Sequence, residues 1–316
     1  SYLSAEDWAA DNLNPVYDTQ TGLDNPGGYD AVNVYGDEYQ AAFDYRDAVI
    51  TYPGLGIFHR RGYRENELVD YDSRNFKANA AFHFRLQPSK TFTSPELILS
   101  TSMGGGTTVY QGDNRYSLKN IRFYQHRLEL LKRDHFFLRF YATHEHSGQS
   151  YDPYFTALQL QQSASDDFNW VTAYSNFWTL KVAPQIKSKE SYPRISDYIG
   201  RPEDYKNAVN GFLLDLQDSL FYWHDLARMA ADTGNNILRT NSFYEPGTDR
   251  FRAKFDDITS RIAYSEGGTQ FYDRSALVHG QGEYQFADLV NGAVLSDLDV
   301  VAGASARIYY PDSKGS

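Results

Sequence analysis

Apolar and polar residues alternate along several long stretches of this chain. From Asn75 to Leu86, even positions hold Phe76, Ala78, Ala80, Phe82, Phe84 and Leu86, and odd ones hold Asn75, Lys77, Asn79, Ala81, His83 and Arg85. Successive strand residues face opposite sides, so the pattern predicts one apolar face and one polar face. Twelve residues at about 3.3 Å each span roughly 40 Å, and a tilt of about 45° brings that to the height of a hydrocarbon core. Strands of soluble proteins average about five or six residues, so the length is more informative than the alternation.

The pattern recurs. Tyr272, Arg274, Ala276, Val278, Gly280, Gly282, Tyr284 and Phe286 alternate with Asp273, Ser275, Leu277, His279, Gln281, Glu283 and Gln285. Aromatic residues sit at both ends of the first set, as at the two interfaces of a bilayer, and Arg274 is expected near an interface where it can snorkel. Val300, Ala302, Ala304, Ala306, Ile308 and Tyr310 form a further stripe, as do Phe136, Leu138, Phe140 and Ala142, and Tyr124, His126, Leu128 and Leu130. Lys132-Arg133-Asp134 predicts a hairpin turn between the last two. Leu97, Leu99, Thr101 and Met103 form a weaker stripe. The fold class expected from this is all-β: a transmembrane antiparallel β-barrel, present in part as about six long strands.

Between Thr143 and Gly268 the long alternation stops. Tyr205, Val209 and Phe212–Leu213 recur at helical spacing behind Pro202, which predicts a helix over Pro202–Gln217, and a second is predicted over Asp218–Asp232, closed by Thr233-Gly234. So long an excursion suggests an inserted, partly helical extracellular subdomain. The expected organisation is an early loop region over 1–53, strands and hairpins over 54–143, the excursion over 144–268 and further strands over 269–316. Ser1-Tyr2-Leu3-Ser4 does not read as a signal peptide, so a targeting segment is expected outside this chain.

Composition narrows the classes. The net charge of −11 argues against a nucleic-acid partner. No apolar run approaches the roughly 18–20 residues of a membrane-spanning helix. The absence of cysteine removes disulfides, thiolate metal sites and thiol catalysis. The 26 Tyr and 20 Phe favour β structure and surfaces that meet both water and an apolar phase.

Four segments carry a family resemblance: GGYDAVNVYGDE (Gly27 to Glu38), GYRENELVDYDSRNFKANAAFHFRL (Gly62 to Leu86), TTVYQGDNRYSLKN (Thr107 to Asn120) and GQSYD (Gly148 to Asp152). In order and spacing they are similar to segments of TonB-dependent outer-membrane receptors of Bacteroidota. The resemblance implies a barrel of about 22 strands around an N-terminal plug, with transport powered by the TonB–ExbB–ExbD complex acting on that plug. No plug, TonB box or terminal strand ending in an aromatic residue is recognisable, so the chain is expected to be part of a larger receptor. It also implies an outer-membrane location in a Gram-negative bacterium, a small-molecule, peptide or glycan ligand, and a surface lipoprotein as a possible further partner.

Candidate chemistry is sparse. His144-Glu145-His146 has metal-ligand residue types but no third ligand in view, so a polar strand end is preferred. Asp166-Asp167 and Asp256-Asp257 are adjacent acids, which is not evidence for a facing glycosidase pair. Gly104-Gly105-Gly106-Thr107-Thr108 lacks the lysine of a phosphate loop and is read as a turn between strands. Asp113-Asn114 is read as a turn rather than a calcium site. No catalytic constellation, metal site or cofactor site is expected, and the chain is read as a non-enzyme.

The candidate functional residues form three sets. Lys77, His83, Arg85, Arg127, Glu129, Arg139, Asp273, His279, Gln281 and Glu283 are expected to face an aqueous lumen, towards plug or substrate. Phe76, Phe82, Phe84, Phe136, Phe140, Tyr272, Val278, Tyr284, Phe286, Ala304 and Tyr310 are expected to face outer-membrane lipid. Trp170, Tyr174, Trp178, Tyr222 and Trp223 are candidates for an extracellular ligand platform, or else for the small core of a helical subdomain. The expected function is import of a nutrient across the outer membrane by energised plug rearrangement. The alternative is a secreted, soluble, β-rich glycan-binding or glycan-degrading protein.

Overall fold

The computed structural model describes residues 34–37, 41–111, 115–286 and 300–314. The described residues fall into two units. One is drawn from Ser1–Val69, Gln111–Arg115 and Pro153–Ile258, the other from Asp70–Tyr110, Tyr116–Asp152 and Thr259–Ser316.

In the first unit, β1 (Val34–Tyr35) pairs antiparallel with β2 (Tyr63–Arg64), which runs into the one-turn α1 (Glu65–Leu68). Helices follow: α2 (Pro153–Ala164), α3 (Asp167–Phe177), a wider turn over Trp178–Val182, α4 (Ala183–Lys187), α5 (Pro202–Leu214), α6 (Gln217–Asp232) and α7 (Asp249–Ser260). Local chemistry starts two of them. The carboxylate of Asp166 accepts the backbone N–H of Asn169 at 2.8 Å and caps α3. Pro202 opens α5, with Glu203 and Asp204 against the positive end of its dipole. Tyr205, Val209 and Leu213 of α5 are buried at i, i+4 and i+8, as the apolar spacing predicts.

These helices close over an aromatic core. Trp170, Tyr174 and Trp178 are fully buried beside Phe43, Leu55, Phe58, Ile186 and Leu220. Phe58 and Tyr174 stack with ring centroids 4.2 Å apart and planes 5° from parallel. Gly54 adopts φ +77°, and a Cβ there would lie 2.5 Å from Leu220 Cδ2, so only glycine fits both the backbone and the space.

The second unit is a six-stranded antiparallel sheet. It orders β3 (Arg74–Arg85), β4 (Glu96–Gln111), β5 (Arg115–Lys132), β6 (Phe136–His146), β7 (Ala276–Phe286) and β8 (Val300–Tyr310) as neighbours in sequence order. The one-turn α8 (Ala263–Glu266) precedes β7. Lys132 ends β5 and the chain turns through Asp134 at φ +56° into β6. Gly104, Gly105 and Gly106, expected in a turn, lie inside β4 instead. A Cβ on Gly105 would stand 2.4 Å from the backbone oxygen of Ile121 on β5, so the bare backbone permits the close strand approach. Tyr272–Ser275, expected within a strand, precede β7.

The all-β transmembrane barrel is therefore corrected. Among the described residues the content is mixed, 35% helical and 34% strand, and the sheet does not close. Two physical reasons account for this. Six strands are fewer than the roughly eight of the smallest closed membrane sheets. The stretch without alternation carries helical periodicity instead, and it buries that periodicity in its own core. Among the described residues, no helix is long and apolar enough to cross a membrane.

Trp178 tests the helical core. Its indole N–H donates to the Pro53 carbonyl at 3.0 Å while its ring is fully buried. Trp178→Ala is expected to destabilise the helical unit by about 3–5 kcal/mol, read as a lower urea midpoint by far-ultraviolet circular dichroism.

Candidate functional site

The sheet register decides which side chains meet. Phe82 lies opposite Leu99, Leu128 opposite Phe140, Ala142 opposite Val278, Gly282 opposite Ala304 and Ala276 opposite Tyr310. All the even positions of β3, β6, β7 and β8, with the even positions Tyr124, His126, Leu128 and Leu130 of β5 and the odd positions Leu97, Leu99, Thr101 and Met103 of β4, therefore share one face. That face is bare: Phe82 is 61% exposed and Phe140 44%, and Phe76, Phe84, Val278, Tyr284, Phe286, Ala304 and Tyr310 are exposed as well. Phe136 is half-buried and stacks parallel to Tyr284 at 6.3 Å. Tyr272 departs from the set: it lies before β7, where its hydroxyl donates to Asp312 at 3.2 Å and its ring sits under Arg274 and Lys314.

Thr101 and His126 form a polar pair on the apolar face. They share a hydrogen bond at 3.0 Å, which satisfies one ring nitrogen internally.

The opposite face gathers charge. Arg127, Tyr141, His279 and Arg307 lie side by side across β5 to β8, and Glu129, Arg139, Gln281 and Ser305 form the next row. Glu129 is buried, with one oxygen bonded by Arg127 and the other by Arg139 at 2.7 Å. Arg139 also lies over the Phe137 ring at 5.2 Å. His279 is buried, and its Nδ1 is 2.5 Å from the Tyr141 hydroxyl. Above these rows the same face opens into a concavity of about 650 Å³ whose lining includes Lys77, Phe123, Gln125, Glu145, Leu277 and Tyr309.

The ten polar candidates thus divide. Arg127, Glu129, Arg139, His279 and Gln281 form one block, and Glu283 lies two residues further along β7, in the next row, opposite Phe137 and Gly303. Lys77, His83 and Arg85 share this face but belong to the edge strand β3, where His83 pairs with Glu96 at 2.6 Å. Asp273 is corrected: it lies outside the strand and its carboxylate accepts the Ser275 N–H at 2.8 Å, closing a turn. Tyr141 and Arg307 were missed as candidates. Alternation assigns their face, and only the register makes them neighbours of His279.

The platform candidates need a larger correction. Trp170, Tyr174 and Trp178 are core residues without exposed surface, because helical periodicity puts them on the inward side of a packed aromatic cluster. Trp223 packs against that core, and Tyr222 alone of the five is well exposed, at 62%. Trp170 donates its indole N–H to Asp232 at 2.8 Å. The Tyr174 hydroxyl donates to Nδ1 of His224 at 2.6 Å, and Nε2 of His224 donates to the Gly54 carbonyl at 3.0 Å.

The acidic pairs have structural partners. Asp166 caps α3, Asp167 pairs with Arg60 at 2.7 Å and Asp257 with Lys254 at 3.0 Å. His144 stacks on Tyr124, and Nδ1 of His146 accepts the Gly148 N–H at 2.8 Å. No cluster of three metal-ligating side chains occurs among the described residues. Asp113 and Asn114 lie outside the described residues, as does most of Gly27 to Glu38. No family model, curated protein or solved structure matches the chain.

Buried histidines make the helical unit acid-sensitive. Desolvation, with Arg228 nearby, lowers both His59 and His224 to about 3. The unfolded chain then takes up protons below about 6.5 that the folded unit refuses, so the stability present above that pH falls as pH drops towards 3. Moving from pH 7 to pH 5 is expected to cost about 2 kcal/mol per histidine, measured as a falling urea midpoint that His224→Gln makes less steep.

Proposed function

We propose that this chain works in an energised outer-membrane importer, of the kind that the TonB-dependent receptors it resembles represent. The continuous bare apolar face of the sheet carries the reading. Strands of 11 residues, as β6, β7 and β8 are, rise roughly 36 Å and at a tilt of about 45° cover close to 26 Å of bilayer height. Aromatic residues stand at the two ends of that face: Phe84, Phe136, Tyr284 and Phe286 towards one, Phe76, Tyr124 and Tyr310 towards the other. Ala80, Ala142, Val278, Gly280 and Ala304 occupy the middle. That is the distribution a lipid-facing surface requires.

In water the same face would be a liability. Isolated exposed apolar residues are ordinary, but a contiguous sheet of them is not. Every residue of the edge strands β3 and β8 is exposed, which in solution would invite pairing with other chains. Lipid against that face removes the first of these problems. A soluble glycan-binding reading draws less support, since Trp170 and Trp178, the side chains suited to stacking on sugars, are enclosed in a core.

In this reading the charged face lines the aqueous route taken by a nutrient ligand. The chain's own residues bind and orient that ligand and perform no covalent chemistry. TonB–ExbB–ExbD supplies the energy through the receptor's plug, and a surface lipoprotein is a further possible partner at the outer side.

Fractionation tests the proposal. The intact protein is expected in the outer-membrane fraction, released only by detergent; recovery in the aqueous fraction without detergent would overturn it. Val278→Arg, in the middle of the apolar face, is expected to cost about 2–4 kcal/mol and lower the membrane-assembled yield. Gln281→Arg, on the opposite face, is expected to leave the yield near that of the parent.

A further inference from the structure

The paired rows on the polar face carry an excess of positive charge in a chain whose net charge is −11. Arg127, Arg139 and Arg307 contribute three positive charges and Glu129 one negative charge, across four adjacent strands. Glu129 neutralises only part of this. Its oxygens each take one guanidinium nitrogen, which leaves the remaining donors of Arg127 and Arg139 unused by it. Nε of Arg139 is buried with no hydrogen-bond partner. Nε2 of His279, on a residue only 3% exposed, is also buried and unpartnered. Arg307, directly opposite His279, is exposed and makes no side-chain hydrogen bond or ion pair among the described residues.

A buried polar nitrogen without a partner is costly, and Arg139 Nε, which can only donate, is met by a ligand that supplies an acceptor. We propose that Arg127, Arg139, His279 and Arg307 form a binding site for a small ligand bearing two or more carboxylates. The way two arginines already hold the Glu129 carboxylate is the geometry such a ligand would meet, since the planar guanidinium fork matches planar carboxylates. The cations are spread from β5 to β8, about 14 Å of sheet, so a ligand with separated anionic groups engages more of them than a single compact phosphate. The assignment rests on the importer reading for its claim that this face lines the ligand's route, and it names the charge class of that ligand.

The test uses the full chain in detergent micelles, with glutarate as probe, glutaramide as its uncharged counterpart and inorganic phosphate as a compact anion, each followed by ligand-observed nuclear magnetic resonance titration. Glutarate is expected to bind, glutaramide not, and phosphate more weakly than glutarate. Arg307→Gln removes a side chain that holds no other group in place, so the fold should survive. It is expected to weaken glutarate about tenfold, the loss of one charge-assisted contact. Lys90→Gln, which removes a cation in the turn between β3 and β4, is expected to leave binding unchanged. Absence of glutarate binding, equal binding of glutaramide, preference for phosphate, or an equal loss in Lys90→Gln would each overturn the site. Because the titration is done in micelles, its failure leaves the fractionation result standing, and a failure of fractionation leaves the titration readable.

Discussion

Register is the constraint on which the sheet depends. Side chains alternate with a period of two, so a one-residue slip in any pairing would carry Phe and Ala to the side of Arg127 and Glu129, and the arginines to the apolar side. The observed pairings prevent this from β5 to β8: Leu128 meets Phe140, Phe140 meets Gly280 and Gly280 meets Ala306. The alternate row joins Arg127, Tyr141, His279 and Arg307. One choice of register thus separates an apolar surface from a charged one.

The helical unit solves a different problem with the same aromatic richness. Trp170, Tyr174 and Trp178 are fully buried there, and each of their polar tips needs a partner. Trp170 finds Asp232, Trp178 finds the Pro53 carbonyl and Tyr174 finds His224. The Trp178 bond and that from His224 to the Gly54 carbonyl tie the helices to the segment around Gly54, and the two bonds of the His224 ring require it to stay neutral. Specific packing and acid sensitivity therefore have one cause, the burial of a hydrogen-bonded imidazole.

Much of this was legible in the residues. Alternation marked β3, the β5–β6 hairpin and β8, because a strand with one apolar and one polar face must write both into the sequence. Pro202, Tyr205, Val209 and Leu213 marked α5 by the same logic at helical period. Other features were not legible. The three glycines of β4 look like a turn until the backbone of β5 is seen to pass against Gly105. Trp170, Tyr174 and Trp178 could have formed either a surface or a core, since large aromatic residues serve both, and only the packing around Phe58 and Gly54 decides for the core.

By itself the sequence determined which residues of each strand share a face, where helices replace strands, and that one face of the strands is apolar along its length, because these follow from local periodicity. The tertiary structure decided that the sheet stays open among the described residues, that the tryptophans turn inward, and that His279 stands between Tyr141 and Arg307. Those outcomes depend on which distant segments pair and at what register, and no local spacing in the chain encodes them.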